Sequence, residues 1–148
     1  MTITISRTEL ARNTRKVIEQ AQKGQPVVVE SYGTEQVAVL DAIDFRLLQA
    51  AVRYQQTKSD DEPASFPDGL TEKQLEQAVV AAGGDIQVRY DRVVAAHQAH
   101  DISFGRAAEL LTTNRFELAE RYNRLGIPLH IGPATIEEVW REIEALRQ

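Results

Sequence analysis

The sequence predicts an α+β protein: a small N-terminal β-α-β-β-α domain, a linker, and an all-helical C-terminal domain with a helix-turn-helix-like pair. Three observations lead there. Residues 1–54 alternate between short β-branched runs and stretches with helical spacing. Residues 55–69, QQTKSDDEPASFPDG, hold two prolines, an acidic run and few apolar groups, the composition of a linker. Residues 70–148 keep helical spacing, interrupted by capping residues and glycines.

In chain order, TITIS (Thr2 to Ser6) alternates polar and β-branched residues and reads as a strand. Ser6-Arg7-Thr8-Glu9 then fits a capping box, in which Ser and Glu satisfy orphan helix N–H groups reciprocally. One helix is expected from there to Gly24. Leu10, Thr14, Val17, Ile18 and Ala21 form its apolar face, and Arg12, Lys16 and Lys23 lie opposite. PVVVES and EQVAVLD, separated by YGT, read as a β-hairpin with Gly33 in its turn. DAIDFRLLQAAVRY returns to helical spacing through Ile43, Leu47, Leu48 and Ala51.

Beyond the linker, Thr71-Glu72-Lys73-Gln74 is a second capping box, opening a helix to about Ala82 that Gly83-Gly84 break. A helix is expected from Asp85 to Gln98. Ser103 caps the next, which reaches Leu111. Asn114 starts another, ended by Gly126 and Pro128, and Thr135-Ile136-Glu137-Glu138 caps a last helix carrying Trp140. Ala107, Leu110, Leu111, Phe116, Leu118 and Leu125 would supply the core of the 102–126 pair.

Apolar content of 43% and charged content of 26% are those of a globular chain. No apolar run has the length of a membrane span and MTITISRTEL does not read as a signal peptide, so a cytoplasmic protein with no membrane partner is expected. The net charge of −5 hides an asymmetry. Residues 1–24 hold five basic and two acidic groups, a net +3, whereas residues 25–62 and 63–148 each carry a net −4. A basic excess confined to one segment serves as an electrostatic footprint for nucleic acid despite an acidic total.

Residues 1–54 resemble the Phd/YefM family of bacterial antitoxins. The carriers are ITISRTELARNTRKVIEQAQKGQPVVV followed by YGTEQVAVLDAIDFRLL. The resemblance implies a homodimer or higher assembly whose strand ends and helix starts touch operator DNA, so that the protein represses its own transcription. One departure is the hairpin loop Ser31-Tyr32-Gly33-Thr34-Glu35, which has no positive charge where family members often carry basic residues. Dimerisation also follows from size, because a unit of 54 residues buries little core alone. The segment from Asp101 to Arg147 resembles a small, uncharacterised prokaryotic family. Gly105, Ala107, Ala108, Glu109, Leu110, Gly126, Ile127 and Pro128 stand at its marked positions. Members look like antitoxin partners of PIN-domain ribonucleases, which implies a cognate toxin of that kind. Thr112 stands where many helix-turn-helix turns have Gly.

The expected DNA-binding residues are Ser6, Arg7, Thr8, Arg12 and Lys16, with the arginines on base edges or phosphate oxygens and the hydroxyls on phosphate. In the 102–126 pair, Arg106, Arg115, Arg121 and Arg124 could face DNA, but Glu109, Glu117 and Glu120 interleave with them and repel phosphate. The expected toxin-binding residues are Trp140, Arg141 and Arg147. An arginine placed among the carboxylates of a magnesium nuclease would replace the metal's charge.

No catalytic residue, cofactor or metal is expected. AAGGD lacks the Lys and Ser/Thr of a phosphate loop, and His97 and His100 have no third ligand at convincing spacing and read as exposed. His130 reads as a surface residue and Asp60-Asp61-Glu62 as a solvated charge run. The chain is therefore expected to be a type II antitoxin with domains 1–54 (dimerisation and DNA), 55–69 (linker) and 70–148 (toxin). The alternatives are a stand-alone transcriptional regulator reading DNA with the C-terminal pair, or an interaction module without a DNA role.

Overall fold

The computed structural model describes residues 2–57, 70–129 and 144–146. The chain is mixed α and β and mostly helical, and it divides into two compact units, Met1–Gln49 and Ala50–Gln148.

The first unit is built on a three-stranded sheet of order β1-β2-β3. β1 (Ile3–Ser6) pairs in parallel with β2 (Val27–Ser31), and β3 (Thr34–Val39) pairs with β2 antiparallel. A parallel neighbour requires a crossover, and the helical residues 7–22 provide it. The central strand is the most buried: Val27 and Val29 point into the core on alternate positions, as a period of two demands. The hairpin turns at Tyr32 and Gly33, both at positive φ (53° and 75°), the type I′ geometry that matches strand twist. Gln36 has no partner in the β2–β3 register and forms a bulge.

The single helix expected over residues 7–23 is in fact two, α1 (Arg7–Arg12) and α2 (Thr14–Gln22), broken at Asn13. Asn competes poorly as a helix interior residue, and here it takes a non-helical φ of −123°. Beside it the Thr14 hydroxyl donates to the Leu10 carbonyl at 2.7 Å, a back-bond that bends helices. The buried face reduces to Val17 and Ala21; Thr14 is exposed and Ile18 is 49% exposed. The Asp41 carboxylate accepts from the backbone N–H groups of Ile43 and Asp44 and starts α3 (Ala42–Thr57). Its buried side is Asp44, Leu47 and Ala50, whereas Ile43 and Leu48 are exposed. Helix α3 continues to Thr57, so residues 55–57 are helical.

The second unit contains α4 (Glu72–Ala81), α5 (Gln87–Gln98), α6 (Phe104–Leu110) and α7 (Arg115–Leu125). The Thr71–Gln74 capping box is complete, with both reciprocal bonds present. Gly83 and Gly84 take φ of 74° and 88°, left-handed values that end α4 and suit only glycine well. Ser103 and Asn114 each accept the N3 backbone N–H of the helix they open. Gly126, at φ 71°, closes α7 in a Schellman-type arrangement completed by Ile127 N–H donating to the Tyr122 carbonyl.

The core of this unit gathers Leu75, Val93, Val94, Ala107, Leu110, Leu118 and Tyr122. His97, expected to be exposed, is buried and packs with Phe104 and Tyr122, ring centres 5.3–5.8 Å apart. Phe116, expected in the core, is 59% exposed, and Leu111 and Leu125 are half-buried. Arg89 ties three helices together: its Nε donates to the Leu110 carbonyl at 2.8 Å and its Nη2 to the Glu72 carboxylate at 2.6 and 2.7 Å. Arg53 pairs with Asp91, which also accepts from the Gln87 amide.

Candidate nucleic-acid interface

Ser6 ends β1 and caps α1, its Oγ accepting the Glu9 N–H at 3.2 Å. Glu9 makes no reciprocal bond among the described residues and is exposed; the Ser6 backbone is held instead in the sheet, opposite Glu30. The hydroxyl hydrogen of Ser6 is not used by the cap, so a phosphate oxygen could accept it. Arg7 and Thr8 follow in the first turn of α1, and Arg12 closes it; all three are exposed. Lys16 is also exposed but lies beyond the Asn13 break, on α2. The five expected residues therefore occupy one strand end and two helices rather than one helical face.

Electrostatics distinguishes this surface. Among the described residues Arg7, Arg12 and Lys16 make no ion pair, while their neighbour Arg15 is held by Glu19 at 3.3 Å. A helix of six residues offers little dipole, so any anion affinity here rests on the side chains. The ordinary reading of such cations is a solvated surface. What departs from it is their concentration in the chain's only basic segment.

The α6–α7 pair is arranged differently. Arg121 is buried and donates to Glu117 at 3.0 Å, so it is not available to a ligand. Glu117 also accepts from the Thr113 hydroxyl at 2.9 Å; the Arg121 bond, then the Thr113 bond, hold its carboxyl below the usual range. Arg106 pairs with Glu109 at 3.1 Å. Arg115 and Arg124 are exposed at the two ends of α7. Thr112, in the turn, takes φ 58°, so the left-handed conformation expected of a Gly is present without one.

Trp140, Arg141 and Arg147 lie outside the described residues, as do Thr135, His130 and Asp60-Asp61-Glu62. Leu146 is 64% exposed. His97 and His100 do not form a ligand pair. The first is inside the aromatic cluster, and the second is exposed past the end of α5 at φ 64°. Among the described residues no three His, Cys, Asp or Glu side chains could hold a metal, and no helix is long and apolar enough to cross a membrane. The aromatic cluster had a signal in the sequence: His97 follows Val93 and Val94 at four and three residues, the spacing of one buried face.

Comparisons of the chain with protein-family models, with curated proteins and with solved structures found no match.

Proposed function

We propose that the chain is a type II antitoxin, which binds operator DNA through its N-terminal unit and silences a toxin through its C-terminal region. The observation that carries the DNA half is the set of exposed cations on α1 and α2, Arg7, Arg12 and Lys16, without ion pairs among the described residues. On this reading they neutralise phosphates, with Ser6 and Thr8 adding hydrogen bonds. A homodimer would double the contacts. It is favoured by the apolar side chains exposed on the first unit, among them Ile18, Val37 and Phe45. The toxin half rests on the sequence resemblance and on Trp140, Arg141 and Arg147, with a PIN-type ribonuclease as the partner its arginines would suit.

Coexpression with the product of the adjacent gene tests both halves. A chain shortened after Asp68 retains binding to the DNA upstream of its reading frame and fails to rescue growth, whereas the full chain does both. Full rescue by the shortened chain would move the toxin site into the first 68 residues and refute the assignment.

A further inference from the structure

Two asparagines stand at helix starts. Asn114 opens α7, and its side-chain oxygen accepts the Glu117 N–H at 2.8 Å. Asn13 opens α2 in the same position, yet its carboxamide makes neither a capping bond nor any other hydrogen bond among the described residues. An asparagine there ordinarily satisfies the orphan N–H of the second or third helical residue. At Asn13 that use is absent, so capping does not account for the residue.

The backbone of Asn13 is nevertheless held on both sides. Its N–H donates to the Glu9 carbonyl at 2.9 Å, and its own carbonyl accepts from Val17 N–H at 3.0 Å. At φ −123° the chain leaves α1 here and begins α2. The break is thus a fixed mount for an uncommitted, exposed side chain.

The neighbours say what such a group could meet. The neutral polar side chains from Ser6 to Lys16 are Ser6, Thr8, Asn13 and Thr14. The Ser6 hydroxyl accepts from Glu9, and the Thr14 hydroxyl donates to Leu10. Only Asn13 offers a donor and an acceptor on separate atoms of one planar group. Arg12 precedes it and Lys16 follows within one turn, both exposed and without an ion pair among the described residues. Glu9 is the one acidic group between Ser6 and Lys16, against the uncommitted Arg7, Arg12 and Lys16, so the local balance favours phosphate.

In the major groove, adenine presents its N6 amino donor beside its N7 acceptor, and a carboxamide matches both at once. We propose that Asn13 reads an adenine there, its oxygen accepting from N6 and its nitrogen donating to N7, while Arg12 and Lys16 hold the flanking phosphates. This rests on the reading that the first unit binds DNA, and it adds the base which that interface selects.

Chemically altered DNA tests the contact without disturbing the fold. The probe is the duplex upstream of the reading frame, each adenine replaced in turn by 7-deazaadenine, which lacks the N7 acceptor. The full native chain loses about 10-fold or more in affinity at one adenine of each half-site. Asn13→Ala and Asn13→Gly proteins bind the unaltered duplex about 10-fold more weakly and lose nothing further at that adenine. Both variants are used because Ala favours joining α1 and α2 into one helix, whereas Gly keeps the break. Both retain the native salt slope, which Arg12→Ala/Lys16→Ala makes shallower. Circular dichroism melting establishes that each variant is folded. Native-strength binding by both Asn13 variants, continued sensitivity of those variants to the same 7-deazaadenine, or no sensitive adenine for the native chain overturns the proposal, while the salt slope leaves DNA binding standing. Loss in Asn13→Ala alone assigns the effect to helix geometry and overturns it as well. If the native chain binds no duplex at all, the DNA reading itself fails and the proposal with it.

Discussion

On α1 and α2, Arg7, Arg12 and Lys16 stand exposed with no ion pair among the described residues, whereas in the helical unit Arg53, Arg89, Arg106 and Arg121 are each joined to a carboxylate. The same residue type thus does different work in the two regions. In the helical unit its charge is spent inside the fold, on helix ends and neighbouring glutamates. On α1 and α2, no described contact uses the charge of Arg7, Arg12 or Lys16, and only Arg15 is paired, with Glu19. A count of basic residues does not separate these cases; their partners do.

The largest effect that would sharpen this contrast is on stability. Arg89→Ala removes hydrogen bonds to Leu110 and Glu72 together and should destabilise the helical unit by about 2 kcal/mol. Arg12→Ala, which breaks no described contact, should stay within about 0.5 kcal/mol. Denaturant titration of the two proteins compares them. Equal losses would mean that Arg12 is structural too.

Tyr122→Phe should have a smaller effect, and one that depends on pH. The buried hydroxyl has no hydrogen-bond partner among the described residues, so its removal at neutral pH should be neutral or slightly stabilising. Burial pushes the hydroxyl above its usual value of 10.0. A raised folded-state value contributes stability that is present below 10 and is lost as pH rises beyond it. The native chain should therefore lose stability above pH 10 relative to Tyr122→Phe. Parallel alkaline melting curves for the two would show that the hydroxyl is not buried as described.

Smallest is Glu117→Gln. Arg121 and then Thr113 lower the Glu117 value from 4.5, so its contribution is present above that pH and is lost as pH falls below it. The pair is largely exposed on the Glu117 side, so solvent screens it. The stability difference between native and variant should shrink to nothing in acid. A difference independent of pH would assign the effect to packing rather than charge.

Much of the fold was legible because caps and stops are local. Ser6, Thr71, Ser103 and Asn114 each receive the N–H that their position implies, and Gly33, Gly83, Gly84 and Gly126 take left-handed backbone where a turn or helix end needs it. The break at Asn13 was not legible, since residues 7–23 keep an apolar period that runs through it. Periodicity also names a face without saying what covers it, which is why Ile18, Leu48 and Phe116 were placed inside and lie outside. His97 went the other way, its polarity outweighing a spacing that marked it as core. For the candidate interface, the basic residues were visible in the sequence. Which arginines are already paired was not, because Arg89 finds Glu72 and Leu110 across helix boundaries that no local rule connects.

The salt dependence of DNA binding tests the central claim most directly. If a dimer engages about six phosphates, log affinity should fall against log salt with a slope near −5. Replacing Arg12 and Lys16 by alanine should shallow that slope by about 2 for each protomer engaged, while Arg106→Ala leaves it unchanged. An unaltered slope in the Arg12→Ala/Lys16→Ala protein would contradict the account and show that the exposed cations of α1 and α2 do not meet phosphate.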